Sequence, residues 1–456
     1  MLDDIIDFLK KTDELVAANS LLGTMSKYAV RVEEYDNLAR WFMEVKNYPL
    51  AIRYAEKALV NTATNEGMYA CRSNLAKLYN HINDPKASLR YSNANLLINP
   101  GDYESLMEQV FSYFLLNEKG KSENILREIK THPDLPENVL HRVNFNLGTY
   151  DLYKGEFQKG LRGFLIEGKK IGIWKDIKLP FKFWDGGIQP GKTIVICAEG
   201  GIGDELISCR FVKHFKELDM NPIWYTTRPD IIEIFRRHGI DARSSLHDVP
   251  QDALWTYSMS VPVYLDVQVK DLWDGPYITA DPEYIEKWKW ISEKPLENHP
   301  DTPNKPKVGI RWTGNPAYEH DLHREVPLTL LNDIIYDRGY KVYSLQRDHG
   351  ADEIYTDALY TEITDLQYEL EHIEDTLAVI HHLDFVITSC TSVAHMAATM
   401  GKKTYVLVPI TAYYTWASTT DTSSIWYGDN VKVLRQIVHK SWAEPLKQLE
   451  DLLATS

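Results

Sequence analysis

Cysteine is scarce in this chain: Cys71, Cys197, Cys209 and Cys390 are the four in 456 residues, and none forms a C-x-x-C pair. Their spacing excludes a disulfide scaffold, and buried, reduced thiols are expected. Positive charge is also short, since 50 Lys and Arg against 65 Asp and Glu leave a net charge of -15. That balance argues against a broad nucleic-acid-binding surface. No apolar run approaches the ~20 residues of a membrane helix. The start, MLDDIIDFLKK, is acidic and lacks the basic-then-apolar order of a signal peptide, so a cytoplasmic protein without membrane insertion is expected. No D-x-D pair follows a strand in the second half and no His/Cys cluster has ligand spacing, so neither a metal nor another bound cofactor is expected. A G-x-G-x-x-G fingerprint with its ribose-binding acid is missing too, which sets aside a dinucleotide-dependent oxidoreductase or epimerase.

What is present is an ordinary globular composition, 44% hydrophobic and 25% charged, in a chain too long for one core. The first 170 residues carry helical periodicity. Leu38-Ala39, Phe42, Tyr48, Ala51 and Ala58 are echoed by Leu75-Ala76 and Tyr79, then by Leu147-Gly148, Phe157, Gly160 and Phe164. Small residues at fixed places with an aromatic one turn on are similar to degenerate tetratricopeptide repeats, although 102–139 fits the pattern poorly. A Gly/Pro-rich linker, 171–190, follows. Two strand–helix arrays then succeed one another, 191–295 and 305–456, joined by a polar stretch at 294–306. Strands are expected at 193–197, 223–227, 240–244, 308–312, 342–346, 385–388 and 404–408. The fold expected is an α-helical repeat domain followed by two Rossmann-like domains facing a cleft. The last helix, 443–453, is expected to pack back across the hinge.

The most informative segment runs from Val195 to Phe211. A strand feeds a turn containing Gly200, Gly201 and Gly203, and an amphipathic segment, 205–218, follows as a helix, which is the unit that offers backbone N–H groups to an anion. The loop ends in an acid, Asp204, which points instead to a hydroxyl awaiting deprotonation. An Asp after glycine is also a common helix N-cap, and both roles can coexist.

Trp184-Asp185-Gly186, Gly191-Lys192-Thr193, the A-E-G-G-I-G-D-E loop and Arg210-Phe211 resemble the glycosyltransferase domain of bacterial tetratricopeptide-repeat proteins. Those are related to the heptosyltransferases of glycosyltransferase family 9 and distantly to protein O-GlcNAc transferase. Further collinear matches run from Ser258 to Pro262, Pro276 to Pro282, Val308 to Pro316, Arg324 with Pro327-Leu328, Tyr343 to Gln346, and Thr391 to His395. Where the family often carries an acid before the last motif, this chain has Cys390.

The resemblance implies a GT-B fold and metal-independent transfer from a nucleotide-sugar. It places Asp204 as general base, with Glu199 as the alternative or as a partner holding the loop. For the donor it implies Arg324, with Arg311 assisting or tied within the fold. The turn Thr391-Ser392 opens a helix whose N–H groups suit a diphosphate. His395, one turn on, contacts phosphate or packs beneath the loop. Asn315 and Gln346 end strands on the ligand-binding edge and can reach base or ribose, Asn315 serving equally as a turn former. Trp416 and Trp426-Tyr427 are stacking or core aromatics. The acceptor can be protein, a glycan or lipid-linked glycan, or a hydroxylated base in phage DNA, which would place the enzyme in host cytoplasm. The repeats would hold a macromolecular or glycan acceptor or mediate homo-oligomerisation. A catalytically inactive adaptor, favoured by Cys390, is the rival reading.

Overall fold

The structure is a computed structural model describing residues 15–455 apart from positions 30, 175–176, 294–304, 317, 319–320, 337, 357–362 and 418–421. The chain divides into two compact units, Met1–Leu135 and Pro136–Ser456. The expected hinge lies almost wholly outside the described residues.

The first unit is a succession of helices: α1 (Leu15–Met25), α2 (Val32–Glu44), α3 (Tyr48–Asn61), α4 (Asn65–His81), α5 (Pro85–Leu96), α6 (Tyr103–Leu115) and α7 (Lys119–Lys130). Asn47, Thr64, Asp84 and Asp102 each accept from the N–H three residues on, occupying donors that a helix start leaves open. The closing turns share one geometry. Lys46, Asn83 and Asn117 take φ of 59°, 63° and 58°. The next N–H reaches the carbonyl five residues back, Asn47 to Phe42, Asp84 to Tyr79 and Glu118 to Tyr113, at 2.7–2.8 Å. These are Schellman closures. The stretch 102–139, which the sequence pattern fits poorly, thus contains a helix pair turned like the others. Leu38, Ala39, Phe42, Ala51, Ala58, Leu75 and Ala76 are all buried.

The second unit opens with helices as well: α8 (Glu137–Tyr153), α9 (Phe157–Leu161), a π-helical stretch Arg162–Glu167, and α10 (Gly168–Lys170). Gly155, with φ of 79°, and the Glu156 N–H bond to Asp151 repeat the same turn. Its residues Leu152, Phe157, Leu161, Phe164 and Leu165 share a hydrophobic core with both sheets. The compact-unit boundary therefore falls at 135/136, ahead of the 170 expected from periodicity, and the expected linker supplies an edge strand.

Two sheets follow. The first holds β1 (Lys182–Phe183), β2 (Thr193–Cys197), β3 (Asn221–Tyr225), β4 (Ala242–Arg243) and β5 (Leu254–Tyr257), all parallel, in the order β1-β5-β2-β3-β4. Its helices are α11 (Ile202–Ser208), α12 (Val212–Glu217), α13 (Pro229–Arg237), α14 (Val261–Tyr264), α15 (Pro282–Lys287) and α16 (Trp290–Glu293). The second holds β6 (Lys307–Arg311), β7 (Lys341–Ser344), β8 (Ile363–Asp365), β9 (Phe385–Ser389), β10 (Lys403–Val408), β11 (Ser423–Ser424) and β12 (Gly428–Arg435) in the order β11-β12-β10-β9-β6-β7-β8. β11 alone runs antiparallel, to β12. Helices α17 (Asp321–Arg324), α18 (Leu328–Tyr336), α19 (Ile373–His382), α20 (Ser392–Thr399) and α21 (Ala443–Ala454) accompany it. The strand order reverses between β2 and β5 in the first sheet and between β6 and β9 in the second, and such switch points are where open α/β sheets hold ligands. Helix α21 packs its Leu446, Leu449 and Leu453 into the second sheet's own core with Val308 and Leu331, where a packing across the hinge was expected.

Candidate functional site

Both switch points meet at one seam. At the first, Glu199 and the glycine loop leave β2, and α11 begins at Ile202. At the second, Thr391 immediately precedes α20, two residues after the end of β9. Helix α11 lies on α20 so closely that a Cβ on Gly203 would stand 2.5 Å from the His395 ring. His395 is one helical turn from Thr391. The two loops singled out in the sequence therefore come together, across a closed seam.

Asp204 sits at the third position of α11, not at the cap, because the helix starts three residues earlier than the sequence reading placed it. Its Oδ2 accepts from the Gly201 N–H at 2.7 Å and its Oδ1 from the Tyr413 hydroxyl at 2.9 Å. Gly200 has φ of 76°, and a Cβ there would strike Oδ2 at 2.5 Å. Only glycine leaves room for that carboxylate. Burial pushes Asp204 up to about 6, against the pull of its two hydrogen bonds, and Glu199 and Glu205 push the same way. Glu205 is fully buried and held by Trp224, Thr226 and Arg228, while Arg228 also donates to the Gly200 carbonyl at 3.0 Å.

Glu199 is not placed as a free base. It is 4% exposed, ion-paired with Lys169, and accepts from the Met259 N–H at 3.3 Å. Its two carboxylate oxygens are thus engaged, one by Lys169 and one by the turn after β5.

At the second switch point, Arg324 donates from Nε to Asp321 at 2.7 Å and from Nη1 to the Cys390 carbonyl at 3.0 Å. It packs on Gly314, where any Cβ would overlap its guanidinium, and lies 4.7 Å from the Tyr318 ring centroid. Since Arg324 uses the backbone of residue 390, a cysteine there leaves that contact intact. Arg311 donates to the carbonyls of Thr313 and Leu345 at 3.2 and 3.1 Å, and no carboxylate among the described residues pairs with it. Burial, with Arg324 and Arg347 nearby, lowers it to about 10. Three guanidinium groups thus crowd one sheet edge. The same edge carries buried donors without a protein partner among the described residues: Thr313 Oγ1, Ser389 Oγ and Arg347 Nε. Clustered like charge beside unsatisfied donors is an arrangement chemically suited to an anion. Thr391 makes no side-chain cap bond, its Oγ1 lying 3.3 Å from Thr388 Oγ1, so the first N–H groups of α20 keep no cap. Ser392 is half-buried at the helix start.

Other expected contacts are redirected. Gln346 is fully buried; its Oε1 accepts from the N–H groups of Trp312 and Thr313 and its Nε2 donates to the His349 carbonyl at 2.7 Å. It shapes the β6 loop, with both its amide oxygen and its amide nitrogen engaged with backbone. His395 is buried and bonded through Nδ1 to the Tyr427 hydroxyl at 2.8 Å. Burial and Arg210 lower it to about 3, so it is neutral and packs, rather than acting as a phosphate-binding cation. Trp416, Trp426 and Tyr427 are core. Asn315 is exposed, and its carbonyl accepts from Tyr318 in a turn. All four cysteines are free and buried.

Tyr413, Lys169 and Arg347 escaped the sequence reading, and Arg210, although part of a matched motif, was given no role there. Of the first three, Arg347 carried a signal, directly after the expected strand end at Gln346. Arg210 is a buried cation without a carboxylate partner among the described residues; it donates to the carbonyls of Leu272 and Trp426 and to the Tyr277 hydroxyl, stitching the two sheets' loops together. A cavity of about 580 Å³ opens far from this seam, at the amino-terminal edge of the first sheet. Its arginine, Arg243, is already paired with Asp241 and Asp248, so it is no rival for an anion. Among the described residues no group of three or more His, Cys, Asp or Glu is placed to hold a metal, and no helix is long and apolar enough to cross a membrane.

No protein-family model matches the sequence and no curated protein does. Among solved structures, a glycosyl transferase family 9 protein from Veillonella parvula is similar over 56% of this chain and 88% of its own, at 11% identity and a TM-score of 0.39. A mutant O-GlcNAc transferase from Thermobaculum terrenum is similar over 92% of this chain and 89% of its own, at 13% identity and a TM-score of 0.34. ADP-heptose LPS heptosyltransferase II from E. coli is similar over 58% and 99%, at 12% identity and a TM-score of 0.34. All three are glycosyltransferases.

Proposed function

We propose that the chain moves a sugar from a nucleotide-sugar to an acceptor hydroxyl at the seam between its two sheets. The observation that carries this reading is the apposition of the switch points, a base of near-neutral pKa on one and an anion-hungry edge on the other. Asp204 takes the acceptor proton, and the acceptor oxygen bonds to the anomeric carbon. The bond from that carbon to the diphosphate oxygen breaks, and its electron pair leaves with the diphosphate. Arg324, Arg311 and the uncapped start of α20 stabilise that charge, the work a metal does elsewhere. Tyr413 occupies the place an acceptor hydroxyl would take, so the seam opens there before reaction. The repeated helix turns support a tetratricopeptide-like reading of the first unit, which would present a macromolecular or glycan acceptor.

The test is mass spectrometry of candidate acceptors after incubation with nucleotide-sugars. Wild type should add a hexose- or heptose-sized mass with at least one donor, and Asp204→Asn should bind that donor without transferring. Transfer by Asp204→Asn at the wild-type rate would remove the base assignment. An adaptor would bind no donor.

A further inference from the structure

The helical segment ahead of the first sheet ends irregularly. Arg162–Glu167 is π-helix, a rare geometry frequent at functional positions. Paired glycines permit it: a Cβ on Gly163 would stand 2.7 Å from the Gly148 Cα, and one on Gly148 would stand 2.6 Å from the Phe164 nitrogen. The backbones of α8 and the π-turn therefore touch, and α10 is carried to the carboxyl edge of the first sheet. What it delivers there is Lys169. The ammonium pairs with Glu199 and lies 3.4 Å from the Tyr257 ring centroid. Glu199 is joined through Gly200 to the Asp204 carboxylate, which rests against that glycine.

We propose that Lys169 is a positioning residue for the base: it holds Glu199 ionised beside Asp204 and so keeps the surroundings of Asp204 negative. The inference rests on Asp204 being the base. A buried carboxylate without a counter-charge takes up a proton. Burial pushes Glu199 up, and Lys169 opposes this by charge and by hydrogen bond. The ionised Glu199 in turn helps to raise Asp204 toward the pH at which a general base is most effective. The other groups facing the pair are Cys197, Tyr257, Tyr264, Tyr413, Tyr414 and Glu205. Cys197, Tyr264, Tyr413 and Tyr414 are all raised and stay neutral near pH 7. Glu205 keeps its own partner, Arg228. Lys169 is thus the cation in direct contact with Glu199.

Carboxyl-carbon NMR of the full chain, labelled in aspartate and assigned with Asp204→Asn, reads the Asp204 midpoint without donor or acceptor. Lys169→Met and Glu199→Gln should each lower it by about half a unit or more, and the double variant should go no lower than either single one, since both act through one charge. Lys169→Arg should restore the wild-type midpoint. An unchanged midpoint in Lys169→Met, or shifts that add in full, overturns the proposal. Should Lys169→Met fail to fold, an unchanged midpoint in the near-isosteric Glu199→Gln overturns it equally. The titration needs no substrate, so failure of every donor to transfer would sink the transferase reading while leaving this result standing.

Discussion

Asp204 keeps its carboxyl group where charge is resisted, and that resistance has two measurable consequences. Its folded value of about 6 lies above the ordinary 3.8. The native state therefore binds more protons than the unfolded one between those values, and stability falls as pH rises through about 6. Asp204→Asn should accordingly raise the melting temperature at pH 8, by as much as on the order of 3 kcal/mol of stability, while leaving it nearly unchanged at pH 4. Transfer should need the ionised form, with an acid limb near pH 6. Tyr413→Phe removes a hydrogen bond that lowers the value, so that limb should move upward. A pH–rate profile of the variant checks the sign. Asp204 was legible because a G-G-I-G-D-E loop after a strand is a pattern confined to a few residues. Tyr413, 209 positions further on, belongs to no pattern, and only the fold brings it to the carboxylate. Gln346 lies two residues past the end of β7, and its side chain turns inward to the backbone of Trp312 and Thr313, a direction that strand alternation does not fix.

At the scale of elements, the helix pair α11 and α20 holds the site together. Gly203 is what lets them touch, and Gly203→Ala should cost about 1–3 kcal/mol through overpacking against His395. Denaturant unfolding measures this, and donor affinity should fall with it as the seam is pried apart. Arg324→Ala removes charged hydrogen bonds at the other edge and should weaken donor binding by about tenfold to a hundredfold; calorimetric titration checks it, and a Lys replacement should restore only part. The central parallel strands were legible as apolar runs, with β2 found at its observed ends. Strands β5 and β12 were not, the first because Leu254–Tyr257 is short and aromatic, the second because Asp429, Lys432 and Arg435 interrupt its apolar run. Periodicity alone also read the segment from 205 to 218 as one helix, whereas a 3-10 turn at Cys209–Phe211 breaks it where Arg210 turns to its carbonyl partners.

Across the whole molecule the unit of organisation is the compact body Pro136–Ser456, in which one large hydrophobic core joins α9, both sheets and the loops after β10, with smaller cores on the outer faces of the sheets. The two sheets should therefore melt in one transition, and Arg210→Met, which removes bonds to the carbonyls of Ile207, Leu272 and Trp426 and to the Tyr277 hydroxyl, should lower its midpoint sharply. Helical periodicity cannot reveal that α8 to α10 belong to this body, because a helix packed on a sheet and a helix packed on another helix show the same apolar stripe. The central claim is that this seam binds a nucleoside diphosphate through Arg324, Arg311 and the start of α20. The measurement that tests it most directly is the thermal shift of the full chain against nucleoside diphosphates and their sugars. A matching ligand at about a hundred times its Kd should stabilise wild type and Asp204→Asn by about 2.7 kcal/mol, and Arg324→Ala far less. A wild-type melting temperature unmoved by every member of the panel would contradict the account.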